Sequence, residues 1–178
     1  MRIEVATPAN ASNKEKGDLL ESLAEDFLRK QNYEVDTQIR VTASELDLLC
    51  KHRVNSRTIY VECKAHRQNL GANVLIKLLG TIEFKDYQEG WLISTGPLGK
   101  EAKGFQNEWE NKPSSDRQKL SIYTPERILE SLISANVIEP PPKAKTAGIL
   151  QNEDLLGSWM LLITPFGKYW VVSCLSGG

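Results

Sequence analysis

Two short segments, ELDLLCKH over residues 45–52 and RTIYVECK over residues 57–64, constrain this chain more than any other part of it. Both are rich in branched and apolar residues, and the RVNS between them is turn-like, so the spacing predicts a β-hairpin. A loop of residues 53–56 sets residue 52 against residue 57. Counting back along both strands then sets Asp47 opposite Glu62 and Glu45 opposite Lys64. Strand side chains alternate, so Glu62 and Lys64 share one face while Ile59, Val61 and Cys63 share the other. An acid and an ammonium group thus stand side by side over a core. Cross-strand β-carbons lie about 4.5–5.5 Å apart, close enough for Asp47 and Glu62 to share one hard cation.

The rest of the chain supplies elements to flank this hairpin. Leu19, Leu20, Leu23, Ala24, Phe27 and Leu28 recur at helical spacing over 17–30, and Tyr33, Val35, Thr37, Ile39 and Val41 alternate with polar residues as a half-buried strand does. Leu70, Val74, Leu75, Leu78, Leu79 and Ile82 predict a helix over 69–84, and GWLISTG predicts a short buried strand over 90–96. A further helix is expected over 100–110 and a strand over 119–124, with Thr124 capping a helix that starts at Pro125. The expected architecture is α/β, a central mixed sheet with helices on both faces.

EPPPKAK, at 139–145, joins consecutive prolines to lysines and predicts a stiff extended connector. The division expected is a first domain over 1–138, a linker over 139–147, and a β-hairpin extension over 148–178 in which SWMLLIT and YWVVSC flank a PFGK turn. About 30 residues cannot build an independent core. The hairpin is therefore expected either to pack on the first domain or to open a further domain of a longer polypeptide.

Several function classes fall away. No apolar run reaches the roughly 18 residues of a membrane span, and the N-terminus lacks a basic start followed by an apolar stretch, so a cytoplasmic location is expected. Cys50, Cys63 and Cys174 show no C-x-x-C spacing and read as small core residues. His52 and His66 lack the spacing of a zinc protease, and no serine nucleophile elbow is present, which argues against acyl transfer. The net charge of -1 does not exclude nucleic acid, because local patches carry that affinity; Lys51, Arg53, Arg57, Lys64 and Arg67 form one candidate patch.

Hydrolysis of a phosphodiester needs a nucleophilic water, charge compensation for the transition state and help for the leaving oxygen. Carboxylate-held Mg²⁺ with a nearby lysine can provide these. Asp47, Glu62 and Lys64 meet that requirement. Here SELDLL followed by IYVECKA resembles the PD-(D/E)xK nuclease superfamily, and the flanking segments resemble its Mrr-type restriction endonuclease branch over roughly 17–137. GDLLESLAEDFLRKQNYEV is similar to that branch's first helix, with Glu21 at the place of its frequent helix carboxylate. GWLISTGPLGKEAKGF and LSIYTPERILESL resemble its later strand–helix units. The resemblance implies that Asp47 and Glu62 bind Mg²⁺, with Mn²⁺ as a substitute and the Cys63 backbone carbonyl as a further ligand. It implies that Lys64 orients or polarises the attacking water and that Glu21 assists. Glu45 either extends the metal site or pairs with Lys64, and pairing is the favoured role.

The same resemblance implies DNA as substrate, low sequence specificity, and a homo-oligomer of at least two copies, since double-strand cleavage needs two active sites. Mrr-type nucleases of this kind occur as N-terminal effectors of bacterial antiviral STAND-type NTPases, so a role in antiphage defence beside a regulatory or sensor module is expected; a short Argonaute system is an alternative partner. Two other readings stay open: a structure-selective resolvase or repair nuclease, which the SELD form also resembles, and an inactive DNA-binding module of the same fold.

Each residue also has a plainer reading. An E-x-K on an amphipathic strand is often a solvated ion pair worth at most about 1 kcal/mol. His52, His66, Gln68 and Lys77 are candidates for phosphate contact but ordinary as surface residues, and Ser94 and Thr95 are expected to cap the following helix rather than bind phosphate. Trp159 and Trp170 fit packing better than base stacking.

Overall fold

The computed structural model describes residues 1–36, 48–151 and 153–175. A short strand β1 (Arg2–Val5) precedes helix α1 (Asn13–Lys30). This helix begins ahead of its apolar repeat because Ser12 and Glu15 form a capping box. The Glu15 backbone N–H donates to the Ser12 hydroxyl at 3.3 Å, and the Ser12 N–H donates to the Glu15 carboxylate at 2.6 Å. Then follow β2 (Tyr33–Asp36), β3 (Leu48–His52), β4 (Thr58–Lys64), α2 (Ala72–Phe84), β5 (Glu89–Ser94), α3 (Lys100–Glu110), α4 (Ser114–Arg117), β6 (Leu120–Tyr123) and α5 (Pro125–Ser134). The chain continues through α6 (Lys143–Leu150), β7 (Leu156–Thr164) and β8 (Gly167–Cys174).

The expected mixed sheet is present, with strand order β2-β3-β4-β5-β6. The β2/β3 and β3/β4 pairs are antiparallel, whereas β4/β5 and β5/β6 are parallel. Helices cover both faces, and the alternation on β4 divides the two layers. Ile59, Val61 and Cys63 join the larger core, with Leu20, Leu23, Phe27 and Leu28 of α1 and Ile128, Leu129 and Leu132 of α5. Tyr60 joins the smaller core, with Leu75, Leu78 and Ile82 of α2 and Ala102 of α3. Residues 37–41, expected to continue the first strand of the sheet, lie outside the described residues.

The C-terminal hairpin β7–β8 takes β1 as a third, parallel strand, with Ile3 beside Leu161 and Val5 beside Ile163. All four side chains are buried in the core that α1 and α5 share. Along the stretch expected as an extended connector, residues 139–142 have no regular structure, but α6 starts at Lys143. Prolines bar a helix through themselves and not one that starts after them, since first-turn N–H groups have no acceptor within the helix. The Pro142 carbonyl accepts from the Thr146 N–H at 3.0 Å and from its hydroxyl at 2.9 Å.

Cys50 and Cys63 are core residues as expected, and burial pushes the Cys50 thiol up to about 12. Cys174 is the exception: it is exposed, near the end of β8, the outer strand of the small sheet. No described helix is long and apolar enough to cross a membrane.

Candidate active site

The even-numbered side chains of β4 run from inside the smaller core to its rim. Tyr60 is 3% exposed, Glu62 is 7% exposed, and the Lys64 side chain is 35% exposed. A buried carboxylate is costly unless its oxygens are paired. Here the Tyr60 hydroxyl donates to Glu62 Oε2 at 2.5 Å, and Lys64 Nζ meets Oε1 at 2.5 Å. Across the parallel ladder Glu62 stands beside Leu92 and Lys64 beside Ser94, so the acid has an apolar neighbour and the lysine a polar one.

An ionised carboxylate offers about four lone-pair directions. One donor on each oxygen leaves Glu62 able to accept a hard cation as well, and oxygen is the donor Mg²⁺ takes. The residue therefore fits a divalent-metal site. Among the described residues, no group of three or more His, Cys, Asp or Glu side chains is gathered as a complete ligand set. Asp47 and Glu45 lie outside the described residues. The strand that follows Asp47 has the expected register: Leu48 pairs with Val61, Leu49 with Tyr60, Cys50 with Ile59 and Lys51 with Thr58. Cys63 is buried on the opposite side of β4, and its backbone is in the β4–β5 ladder opposite Ile93.

Glu21 is half-buried on α1, and α1 covers the face of Ile59, Val61 and Cys63, opposite to the one that carries Glu62 and Lys64. Its Oε1 lies 3.7 Å from where a β-carbon on Gly17 would stand. The candidate basic patch divides in two. Lys51, Arg53 and Arg57 sit at the hairpin turn, and Lys64 and Arg67 at the far end of β4, roughly 20 Å away for a strand of this length. Four of the five are also in ion pairs: Arg53 with Glu34, Arg57 with Glu89, Lys64 with Glu62 and Arg67 with Glu4.

The loop beyond Lys64 packs against the end of β5. A β-carbon on Gly96 would fall 2.6 Å from the Gln68 carbonyl oxygen and 2.8 Å from that of His66, so only glycine permits this approach. Ser94 and Thr95 serve the same junction instead of capping α3, whose N-cap is Gly99. The Ser94 hydroxyl donates to the Gly96 carbonyl at 2.8 Å and accepts from its N–H at 3.0 Å. The Thr95 hydroxyl donates to the His66 carbonyl at 3.1 Å, and the Thr95 N–H donates to the Lys64 carbonyl at 3.0 Å. Burial holds the His66 imidazole below its ordinary pKa. His52 lies at the other end of the hairpin, its ring edge-on to Tyr33 at 4.9 Å. Trp159 and Trp170 pack against each other at 6.4 Å, and Trp170 Nε1 donates to the Glu139 carbonyl at 2.9 Å.

Against this geometry, the family model Mrr_cat, described as restriction endonuclease, matches residues 13–121. The chain belongs to the Mrr restriction endonuclease family. The match runs from the first residue of α1 into β6, so it takes in the whole β3–β4 hairpin and the parallel strands beside it. Two solved structures are similar. One, described as a protein of unknown function AF1548, has a TM-score of 0.48 and 13% identity over 76% of this chain and 78% of that one. The other, the DNA modification-dependent restriction endonuclease AspBHI, has a TM-score of 0.47 and 15% identity over 79% of this chain and 41% of that one. No curated protein matches the chain.

Within the Mrr domain, sequence reasoning passed over Tyr60. Its hydroxyl is the donor on the far side of the Glu62 carboxylate from Lys64. The signal was present in the strand alternation: Tyr60 stands two residues before Glu62 and so shares its face. It was overlooked because an aromatic in a β-rich segment is already explained by packing.

Proposed function

We propose that this chain is a Mg²⁺-dependent endodeoxyribonuclease that hydrolyses DNA phosphodiesters with low sequence specificity. Membership of a restriction endonuclease family supports a DNA nuclease. The observation that carries the reading to this chain's own residues is the buried Glu62 carboxylate, held between the Tyr60 hydroxyl and the Lys64 ammonium on one face of β4. In this proposal Asp47 completes the centre; the hairpin spacing of the sequence pairs it with Glu62, and the described Leu48–Val61 pair is in keeping with that spacing.

Asp47, Glu62 and the Cys63 carbonyl would hold the cation. A divalent ion there supplies charge compensation for the transition state and makes water a better nucleophile at neutral pH. Tyr60 fixes the Glu62 carboxylate in place, leaving its remaining lone pairs to the ion. Lys64, at the solvent rim, orients the attacking water and offers positive charge to the scissile phosphate. Glu21 is assigned an assisting role from α1. Two copies are needed to cut both strands, and the working form is taken to be a cytoplasmic homo-oligomer of at least two copies under a regulatory module in antiphage defence.

The test is plasmid cleavage with Mg²⁺, with EDTA, and with the Asp47→Ala and Lys64→Ala chains. Cutting that needs the metal and is lost in both variants supports the proposal. DNA binding without cutting in every metal condition would replace it with a binding module of the same fold.

A further inference from the structure

Helix α2 buries Leu75, Leu78 and Ile82 against the sheet and turns another set of side chains to solvent. Ile76 is 54% exposed and Phe84 is 84% exposed, with Gly80 exposed between them. The three residues are four apart, so they form a single row along the helix surface, of the kind through which helices in globular proteins most often pack. A β-carbon on Gly80 would meet nothing within 4 Å, so the middle of the row is open and a second backbone can approach it closely. Single exposed apolar residues are ordinary. What distinguishes this face is the charge beside the row. Lys77 stands three residues before Gly80 and Glu83 three residues after it, both exposed. At 3.6 residues per turn those positions fall on opposite sides of the row, about 60° either way from Gly80.

We propose that this face is the contact surface of a homodimer and that its occupant is α2 of a second copy, related by a two-fold axis lying along the row. Rotation about that axis returns Ile76, Gly80 and Phe84 each to its own counterpart and exchanges the two flanks. Lys77 of each protomer therefore meets Glu83 of the partner subunit, and the interface carries two opposite-charge contacts around an apolar strip. A patch that complements itself in this way is what a two-fold contact requires. The row is inclined by about 26° to the helix axis, so the two helices cross at about 50°, the commonest packing class. Glu83 also has an intrachain partner, Lys119 at 3.4 Å, but its side chain is 76% exposed and open to a second cation. Lys85 Nζ lies 5.6 Å from the centre of the Phe84 ring, and the ring stays largely exposed beside it. The proposal also gives Lys77 a role other than phosphate contact. It deepens the dimer part of the proposed function by naming the surface.

The test is sedimentation equilibrium of the full chain, with far-UV circular dichroism to confirm that each variant is folded. Glu83→Lys alone or Lys77→Glu alone places like charges together twice per dimer and should weaken association roughly tenfold or more. The double variant Lys77→Glu/Glu83→Lys should restore it, although the Lys119 contact stays lost. A wild-type chain that stays monomeric, single reversals without effect, or a double variant no tighter than the singles would each overturn the proposal. The readout is mass, so it holds whether or not the chain cuts DNA.

Discussion

Replacing Tyr60 with phenylalanine removes one oxygen and leaves the ring where it packs, and among the described contacts it breaks the hydrogen bond to Glu62. That bond runs from a 3% exposed phenol to a 7% exposed carboxylate at 2.5 Å. Hydrogen bonds to charged groups contribute roughly 1.5–3 kcal/mol. Lys64 still holds the other oxygen at 2.5 Å, so Glu62 is not left alone, and the cost belongs in the lower part of that range, about 1.5–2 kcal/mol. For a chain of this size such a loss lowers the melting temperature by about 3–8 °C. The assay is urea unfolding followed by tryptophan fluorescence, in a double-mutant cycle with Glu62→Gln. Tyr60→Phe should cost measurably less once the carboxylate is gone. Cleavage should fall by about tenfold to a hundredfold with the fold intact, as for the loss of an outer partner of a metal-binding group. Equal costs in the two backgrounds, or a Tyr60→Phe chain within about 0.5 kcal/mol of wild type, would refute the placement of the hydroxyl.

Arg57→Ala removes the cation 2.8 Å from the buried Glu89 carboxylate, leaving it, among the described residues, the Trp91 indole N–H at 2.9 Å. Because Arg57 is 39% exposed and water screens the pair, the cost should be roughly 1–2 kcal/mol rather than the 3–5 of a fully buried pair. Adding Glu89→Gln should recover most of it in urea unfolding, and a double variant weaker than Arg57→Ala would contradict the assignment. For His66, burial lowers the pKa from its ordinary 6.5, a backbone hydrogen bond with Gln68 opposes this in part, and Lys64 lowers it again. The unfolded chain then binds the proton more readily than the folded one, so stability falls as pH drops through 6.5 and levels off below the folded value. His66→Gln should flatten that part of the curve of urea midpoint against pH, and superimposable curves for the two chains would count against the lowered pKa of this half-buried imidazole.

Local pattern made most of the central sheet legible. The β3–β4 register followed from a four-residue turn, and α3 begins and ends where its periodicity does, because each depends on neighbours close in sequence. The division of β4 into two faces was legible for the same reason: alternation alone separates Glu62 and Lys64 from Ile59 and Val61. What escaped depends on distant partners. Four residues at Arg2–Val5 carry too little alternation to announce a strand, and they become one through Met160–Ile163, more than 150 positions later. The Arg57–Glu89 pair likewise unites a hairpin residue with the start of β5, so a residue that reads as part of a basic surface is mostly spent on a buried acid. Ser94 and Thr95 looked like helix caps because they precede α3, but their hydroxyls are taken up by the loop that follows Lys64.

The site's position at one end of β4 follows from what its two faces must each do. In the roles proposed above, Glu62 as a cation ligand gains from a partly dry setting, while Lys64 as a substrate-facing group needs water. The odd-numbered face of β4 meets α1 and α5 in an apolar core with Ile59 and Val61 fully buried, which fixes the strand without asking anything polar of it. That leaves the even face free to grade from Tyr60 inside to Lys64 at the rim, with Glu62 between them held at both oxygens. Moving the motif two residues toward the start of the strand would set the lysine at the position of Glu62, where burial would disfavour its charged form. Moving it two residues the other way would carry the lysine to position 66, beyond the end of β4. On the proposed reading, the motif sits where β4 leaves the core because there one strand face holds a shielded acid and a solvent-reaching lysine two residues apart.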